Sequence, residues 1–125
     1  IKSVFIIEAG PGEKLLIPPG FGHNMINVLS KPLLTANWVS DKAIYDHEPY
    51  KNNRGAAYYF LDNGNLIDII KNPNYDSVPE IKKILAKKDP LPLYSLVNNL
   101  KKLRVLNYPE EFAGEWRNCS DFIKM

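Results

Sequence analysis

Cysteine is almost absent from this 125-residue chain, where Cys119 stands alone. An internal disulfide is therefore excluded. A lone thiol suits a reducing compartment, so the cytoplasm is the default expectation, and nothing around Cys119 in sequence suggests a catalytic role. Histidine is nearly as scarce, with only His23 and His47. Charge of one sign is missing too: 16 Lys and Arg face 14 Asp and Glu, for a net charge of +2. A balance so close to neutral gives no reason to expect a nucleic-acid or anionic-membrane partner. No apolar run approaches the ~20 residues of a membrane span, and no signal peptide is visible. Internal repeats, low-complexity tracts and Gly/Ser linkers are also lacking. What remains is 45% apolar and 24% charged, the composition of a soluble globular domain, or a piece of one, with a single core.

Residues 3–72 read as a series of strands with turn chemistry between them. Residues 4–7, 13–17, 22–28 and 33–39 are the first four, and Ser30-Lys-Pro32 separates the third from the fourth. The polar stretch from Ser40 to Arg54 should be a surface loop. Residues 55–61 and 66–70 then flank Asp62-Asn-Gly-Asn65. Asn-Gly between two β-prone runs predicts a hairpin, because both residues accept positive φ. Strands this short and this frequent indicate a sandwich or jelly roll. Beyond residue 75 the pattern turns helical. Ser77 and Glu80 have capping-box spacing ahead of an Ile81, Ile84, Leu85 stripe that faces away from Lys82, Lys83 and Lys87. Leu96, Leu100 and Leu103 form a second stripe opposite Lys101, Lys102 and Arg104. Pro109-Glu-Glu-Phe112 then starts a last helical turn. These lysines read as the solvated faces of helices packed on the β part. The expected organisation is a β part over residues 1–75 and a helical or irregular extension over 76–125.

One stretch carries more information than the rest, Gly12-Glu-Lys-Leu-Leu-Ile-Pro18-Pro-Gly20-Phe-Gly-His23-Asn-Met-Ile-Asn27. Prolines 18 and 19 hold an extended exit from the second strand, and Gly20 and Gly22 permit the corner that follows. His23, Met25 and Asn27 would then share one face of the next strand, since strand side chains alternate. The spacing of Gly12, Pro18, Gly20, His23 and Asn27 is that of the second sequence motif of the cupins. Five fixed residues at fixed gaps arise by accident with a chance on the order of one in ten thousand. The resemblance implies a cupin jelly-roll barrel, mainly β, with His23 on its inner wall as a metal ligand.

Narrower resemblance lies in Ile17-Pro-Pro-Gly-Phe-Gly-His23, Asn37-Trp-Val39, Tyr45-Asp-His-Glu-Pro-Tyr50, Arg54-Gly-Ala-Ala-Tyr-Tyr59 and Asn72-Pro73. Together these are similar to the cupin-type glucose-6-phosphate isomerases of archaea and some bacteria. The tail, with Pro92-Leu-Tyr94 and residues 106–112, looks like that of the longer bacterial members. The resemblance implies an enzyme that interconverts glucose 6-phosphate and fructose 6-phosphate in glycolysis and gluconeogenesis. It also implies one divalent metal ion (Fe, Mn, Ni or Zn), a phosphosugar as partner and a homodimer. The metal would be held by two His and one Glu of a first motif together with His23. There it would orient the sugar's C1 and C2 oxygens and stabilise charge developing on them.

The chain contains no such first motif. It begins Ile1-Lys-Ser-Val-Phe-Ile-Ile, with only eleven residues ahead of Gly12 and no histidine among them. The expectation is therefore the C-terminal part of a longer protein, with the catalytic residues upstream of residue 1. A naturally short half-cupin is the alternative. The 125 residues alone should be inactive. The archaeal members of the family tend to carry an aromatic residue near Thr35, a tyrosine near Val39 and a histidine near Tyr45. The resemblance thus implies Thr35 and Tyr45 as candidate substrate-lining residues, at positions where this chain departs from the family pattern that would set substrate preference. Asn27 either meets a ligand or secures interior polar groups. Tyr45, Asp46 and Tyr50 either border the site or anchor their loop. His47 reads as exposed, and Trp38, Tyr58, Tyr59 and Phe60 as packing residues. Other cupin phosphosugar isomerases or epimerases, and a non-catalytic sugar-binding cupin, remain open alternatives.

Overall fold

The computed structural model describes residues 1–64, 66–86 and 91–112. In chain order the elements are strand β1 (Val4–Glu8), helix α1 (Glu48–Asn52), strands β2 (Tyr58–Asp62), β3 (Ile67–Lys71) and β4 (Ile81–Leu85), and helix α2 (Leu100–Asn107). Short 3-10 helices at Leu93–Asn98 and Pro109–Phe112 flank α2. The described secondary structure consists mostly of small sheets with few helices, as expected for a mainly β chain. The strands form two two-stranded sheets, β1 with β4 and β2 with β3, and no closed barrel is formed among the described residues.

The β2–β3 hairpin forms where Asn63-Gly64 predicts it. The strands are antiparallel in a register that places Tyr58 opposite Lys71, Phe60 opposite Ile69 and Asp62 opposite Ile67. Gly64 takes φ 81°, and the Asp62 carboxylate accepts its N–H at 2.7 Å. Asn63 donates from its amide to Asp68, which ties the loop to the second strand. Local turn chemistry thus fixes the register without any distant contact.

Two groups of sequence expectations are corrected. Ile81–Leu85 is a strand paired with β1 and not a helix. Glu80, the acceptor of the expected capping box, pairs instead with Lys71 Nζ at 2.5 Å. Five residues containing two β-branched isoleucines fit either period, and a partner strand decides the outcome over propensity. Lys87 lies outside the described residues. The second correction concerns residues 13–17, 22–28 and 33–39, which carry no strand pairing. A strand exists only through its ladder, and among the described residues these segments form no ladder. Their apolar side chains stay in solvent: Met25 is 68% exposed, Leu29 71% and Leu34 96%.

The chain divides into two compact units, Ile1–Ile6 with Ile44–Lys83, and Ile7–Ala43 with the residues from Ile84 onward. In the first, Tyr58 is buried and its hydroxyl donates to the Pro79 carbonyl at 2.8 Å. In the second, Val105 of α2 is buried. Trp38 donates its indole N–H to the Leu93 carbonyl at 3.1 Å and meets the Tyr94 ring edge-on at 6.4 Å. Asn99 caps α2, its side chain accepting the Lys102 N–H. Arg104 forms a forked pair with Glu111 at 2.5 Å and stacks on Tyr108, 4.4 Å from the ring centre. The expected helical character over 96–103 is realised in a 3-10 turn and α2, but the stripe is corrected: Leu100 is 77% exposed, and Val105 is the buried residue of α2. No described helix is long and apolar enough to cross a membrane.

Candidate functional site

The Gly12–Asn27 segment is organised by two turns of the same kind. Glu13 N–H donates to the Gly10 carbonyl at 3.1 Å across Pro11-Gly12, and Phe21 N–H donates to the Pro18 carbonyl at 3.3 Å across Pro19-Gly20. Both glycines sit at φ 79°. Proline followed by a positive-φ glycine defines a type II turn, so both corners are dictated by local chemistry. Gly22 has no positive φ, which corrects the expectation that it shares the corner with Gly20. Pro18 is buried, so the second corner is anchored at its first residue.

His23 lies two residues past that corner. It is exposed and in no strand, so it does not share a strand face with Met25 and Asn27. Asn27 turns back on its own loop: its amide donates to the Lys31 carbonyl at 2.8 Å and its Oδ1 accepts the Leu29 N–H at 3.1 Å. Asn27 is exposed, which corrects the expectation that it secures interior polar groups: its bonds close its own loop. Thr35 is exposed in the same unit. Tyr45 belongs to the other unit, where its exposed ring stacks on His47 with centres 6.3 Å apart and planes at 17°. His47 is exposed at the start of α1, in line with its reading. Asp46 anchors its loop by accepting the Glu48 N–H at 2.9 Å. Burial, then the charge of Tyr75, raises the pKa of the Tyr50 phenol above its ordinary value. Cys119 lies outside the described residues.

No group of three or more His, Cys, Asp or Glu side chains able to hold a metal lies among the described residues. A concavity of about 470 Å³ runs along α2, lined by Leu100, Leu103, Arg104 and Tyr108 among others, and it includes none of the candidate metal- or substrate-site residues His23, Thr35 and Tyr45.

A second polar constellation, to which the sequence assigned no role, surrounds Arg54. Helix α1 ends in a Schellman motif, with Arg54 N–H donating to the Lys51 carbonyl at 3.2 Å and Gly55 N–H donating to the Tyr50 carbonyl at 2.8 Å. This geometry puts Arg54 at the position that normally takes glycine, and its φ is 53°. It is the only non-glycine residue with positive φ among the described residues. Left-handed backbone costs an L-residue ~1–2 kcal/mol.

The surroundings hold the loop in that state. Asn72, only 1% exposed, donates its amide to both the Asn53 and Ala56 carbonyls at 2.8 Å, and its backbone N–H donates to the Ala57 carbonyl at 2.9 Å. Tyr59 and Tyr75 hydroxyls donate to the Arg54 and Gly55 carbonyls at 3.4 and 3.0 Å. Every carbonyl from residue 53 to 57 is thus engaged. Gly55 is required beside Arg54, because its φ is 132° and a Cβ there would meet the Tyr59 ring at 3.2 Å. The Asn72 Oδ1 in turn accepts from the Asn74 backbone and side chain, each at 2.9 Å. The available sequence signal was an arginine in place of glycine after a short Pro-initiated helix, and it is recognisable only once the helix end is located.

Residues 1–80 match the family model described as Glucose-6-phosphate isomerase (GPI). That match spans more than half of the chain, and the chain belongs to this family of isomerases. No curated protein and no solved structure shows significant similarity to it.

The metal implied by the cupin resemblance finds one candidate donor in this segment, the exposed imidazole of His23. A single neutral imidazole does not make a catalytic metal site, which ordinarily needs three protein ligands. The residues present therefore do not fit a complete centre.

Proposed function

We propose that the chain is the C-terminal part of a cupin-type, metal-dependent glucose-6-phosphate isomerase, with His23 as one ligand of a divalent metal. The observation that carries this reading is the unbroken Gly12, Pro18, Gly20, His23, Asn27 spacing inside the matched family region. The two type II turns support it, because Gly12 and Gly20 of the motif take the positive φ that each corner needs. The unpaired, apolar segments 22–28 and 33–39 support it too. They have the composition of barrel strands, and in the proposal they take their ladder partners and apolar cover from barrel strands outside these residues. Those strands would also bring the remaining ligands and the acid–base group. No step of the isomerisation is assigned to the residues present.

The test is a coupled assay for fructose 6-phosphate formed from glucose 6-phosphate, run on the protein together with its upstream barrel residues, before and after chelation. The reading expects turnover that a chelator abolishes and added metal restores. Turnover indifferent to chelation refutes the metal-dependent mechanism. Metal binding with no phosphosugar turnover refutes the isomerase and leaves a sugar-binding cupin.

A further inference from the structure

We propose that Arg54 is an anion anchor that binds the phosphate group of a sugar phosphate. The identity of the ligand rests on the phosphosugar reading above, but the anchor itself rests on geometry. Arg54 occupies a helix-ending position where glycine is conformationally free and arginine is strained, with φ at 53°. Glycine would serve the turn better, so the arginine side chain at this position is read as serving something other than the turn. Strained residues persist where the surroundings over-determine them, and such places concentrate at ligand clamps. Here the over-determination is complete, with five consecutive carbonyls from residue 53 to 57 each accepting a hydrogen bond and Asn72 buried at the centre.

The guanidinium itself is exposed and makes no hydrogen bond or ion pair among the described residues. Arg104, by contrast, is committed to Glu111 and Tyr108. A rigid backbone beneath an uncommitted guanidinium is suited to recognition. The planar fork can grip two oxygens of a phosphate dianion, and the fixed backbone lowers the entropy lost on binding.

Arg54→Gly separates this role from a structural one, because glycine is the better residue for the turn. Glucose 6-phosphate and inorganic phosphate are titrated against the full chain and against Arg54→Gly and Arg54→Lys, and the thermal midpoint of each is recorded. Arg54→Gly is expected to keep or raise the midpoint while weakening both ligands by about tenfold or more, with Arg54→Lys in between. Equal binding of both ligands by wild type and Arg54→Gly overturns the proposal, as does a lower midpoint in Arg54→Gly with binding intact. Arg54-dependent phosphate binding in a protein that never isomerises phosphosugar upholds the anchor and sinks only the isomerase reading. In the protein assayed together with its upstream barrel residues, isomerisation with an unchanged KM in Arg54→Gly does the reverse.

Discussion

Single residues in this chain divide sharply between those whose role is local and those whose role depends on a distant partner. Asn72 is the extreme case of the second kind, because its buried amide closes a loop nineteen residues earlier in sequence. Asn72→Ala leaves the Asn53 and Ala56 carbonyls without their donor and should destabilise the fold by about 2–4 kcal/mol in urea unfolding. Asn72→Asp should be at least as damaging despite its shape, since a carboxylate would face two carbonyl oxygens. An Asp variant as stable as wild type would show that the amide donors are dispensable. Gly20 is local. Its φ of 79° strains any other residue, although a Cβ there meets nothing within 4 Å. Gly20→Ala should therefore cost about 1 kcal/mol through backbone strain alone, whereas Gly22→Ala, at a residue with no positive φ, should cost clearly less. Equal losses in the two variants would contradict the turn assignment.

The elements show why some of the architecture was legible in the sequence and some was not. The two Pro-Gly corners and the Asn63-Gly64 hairpin were readable because their chemistry lies within four or five residues. The helical character around α2 was readable from the spacing of Leu96, Leu100 and Leu103, but not the face it buries, which is that of Val105. Strand β4 was not, because pairing with β1, more than seventy residues away, outweighs a capping-box signal that spans four. Segments 22–28 and 33–39 have strand composition without strand pairing, and composition alone cannot supply a ladder. For the candidate site, the corner before His23 was legible from its Pro-Gly pair, whereas the strained Arg54 emerged only from the way α1 ends.

Past α2, the Arg104–Glu111 pair gives a pH dependence of known sign. The hydrogen bond from Arg104 holds the Glu111 carboxyl below its ordinary value of 4.5. Its contribution is therefore present above that ordinary value and is lost as pH falls through the lowered folded value. A carbon-detected NMR titration of Glu111 should give a midpoint below 4.5, moving upward in Arg104→Ala. A midpoint unmoved by Arg104→Ala would show that the pair does not persist in solution.

At the scale of the whole molecule, the described residues form two small sheets and leave a set of large apolar side chains in water, including Leu34 and Ile44 at 96% and 94% exposure. In the proposal this uncovered apolar surface is the physical counterpart of a metal site represented by one histidine. Both features have one explanation in the proposal, which is that the remaining barrel strands bring cover and ligands together.

The central claim is that His23 is an inner-sphere ligand of a metal on which isomerisation depends. It is tested most directly by measuring metal content and glucose 6-phosphate turnover together, in the protein with its complete barrel and in its His23→Ala variant. The proposal predicts one divalent metal per barrel and chelator-sensitive formation of fructose 6-phosphate. In His23→Ala it predicts metal affinity reduced by about tenfold or more, with activity falling in step. A His23→Ala protein that keeps wild-type metal affinity and wild-type turnover would contradict it.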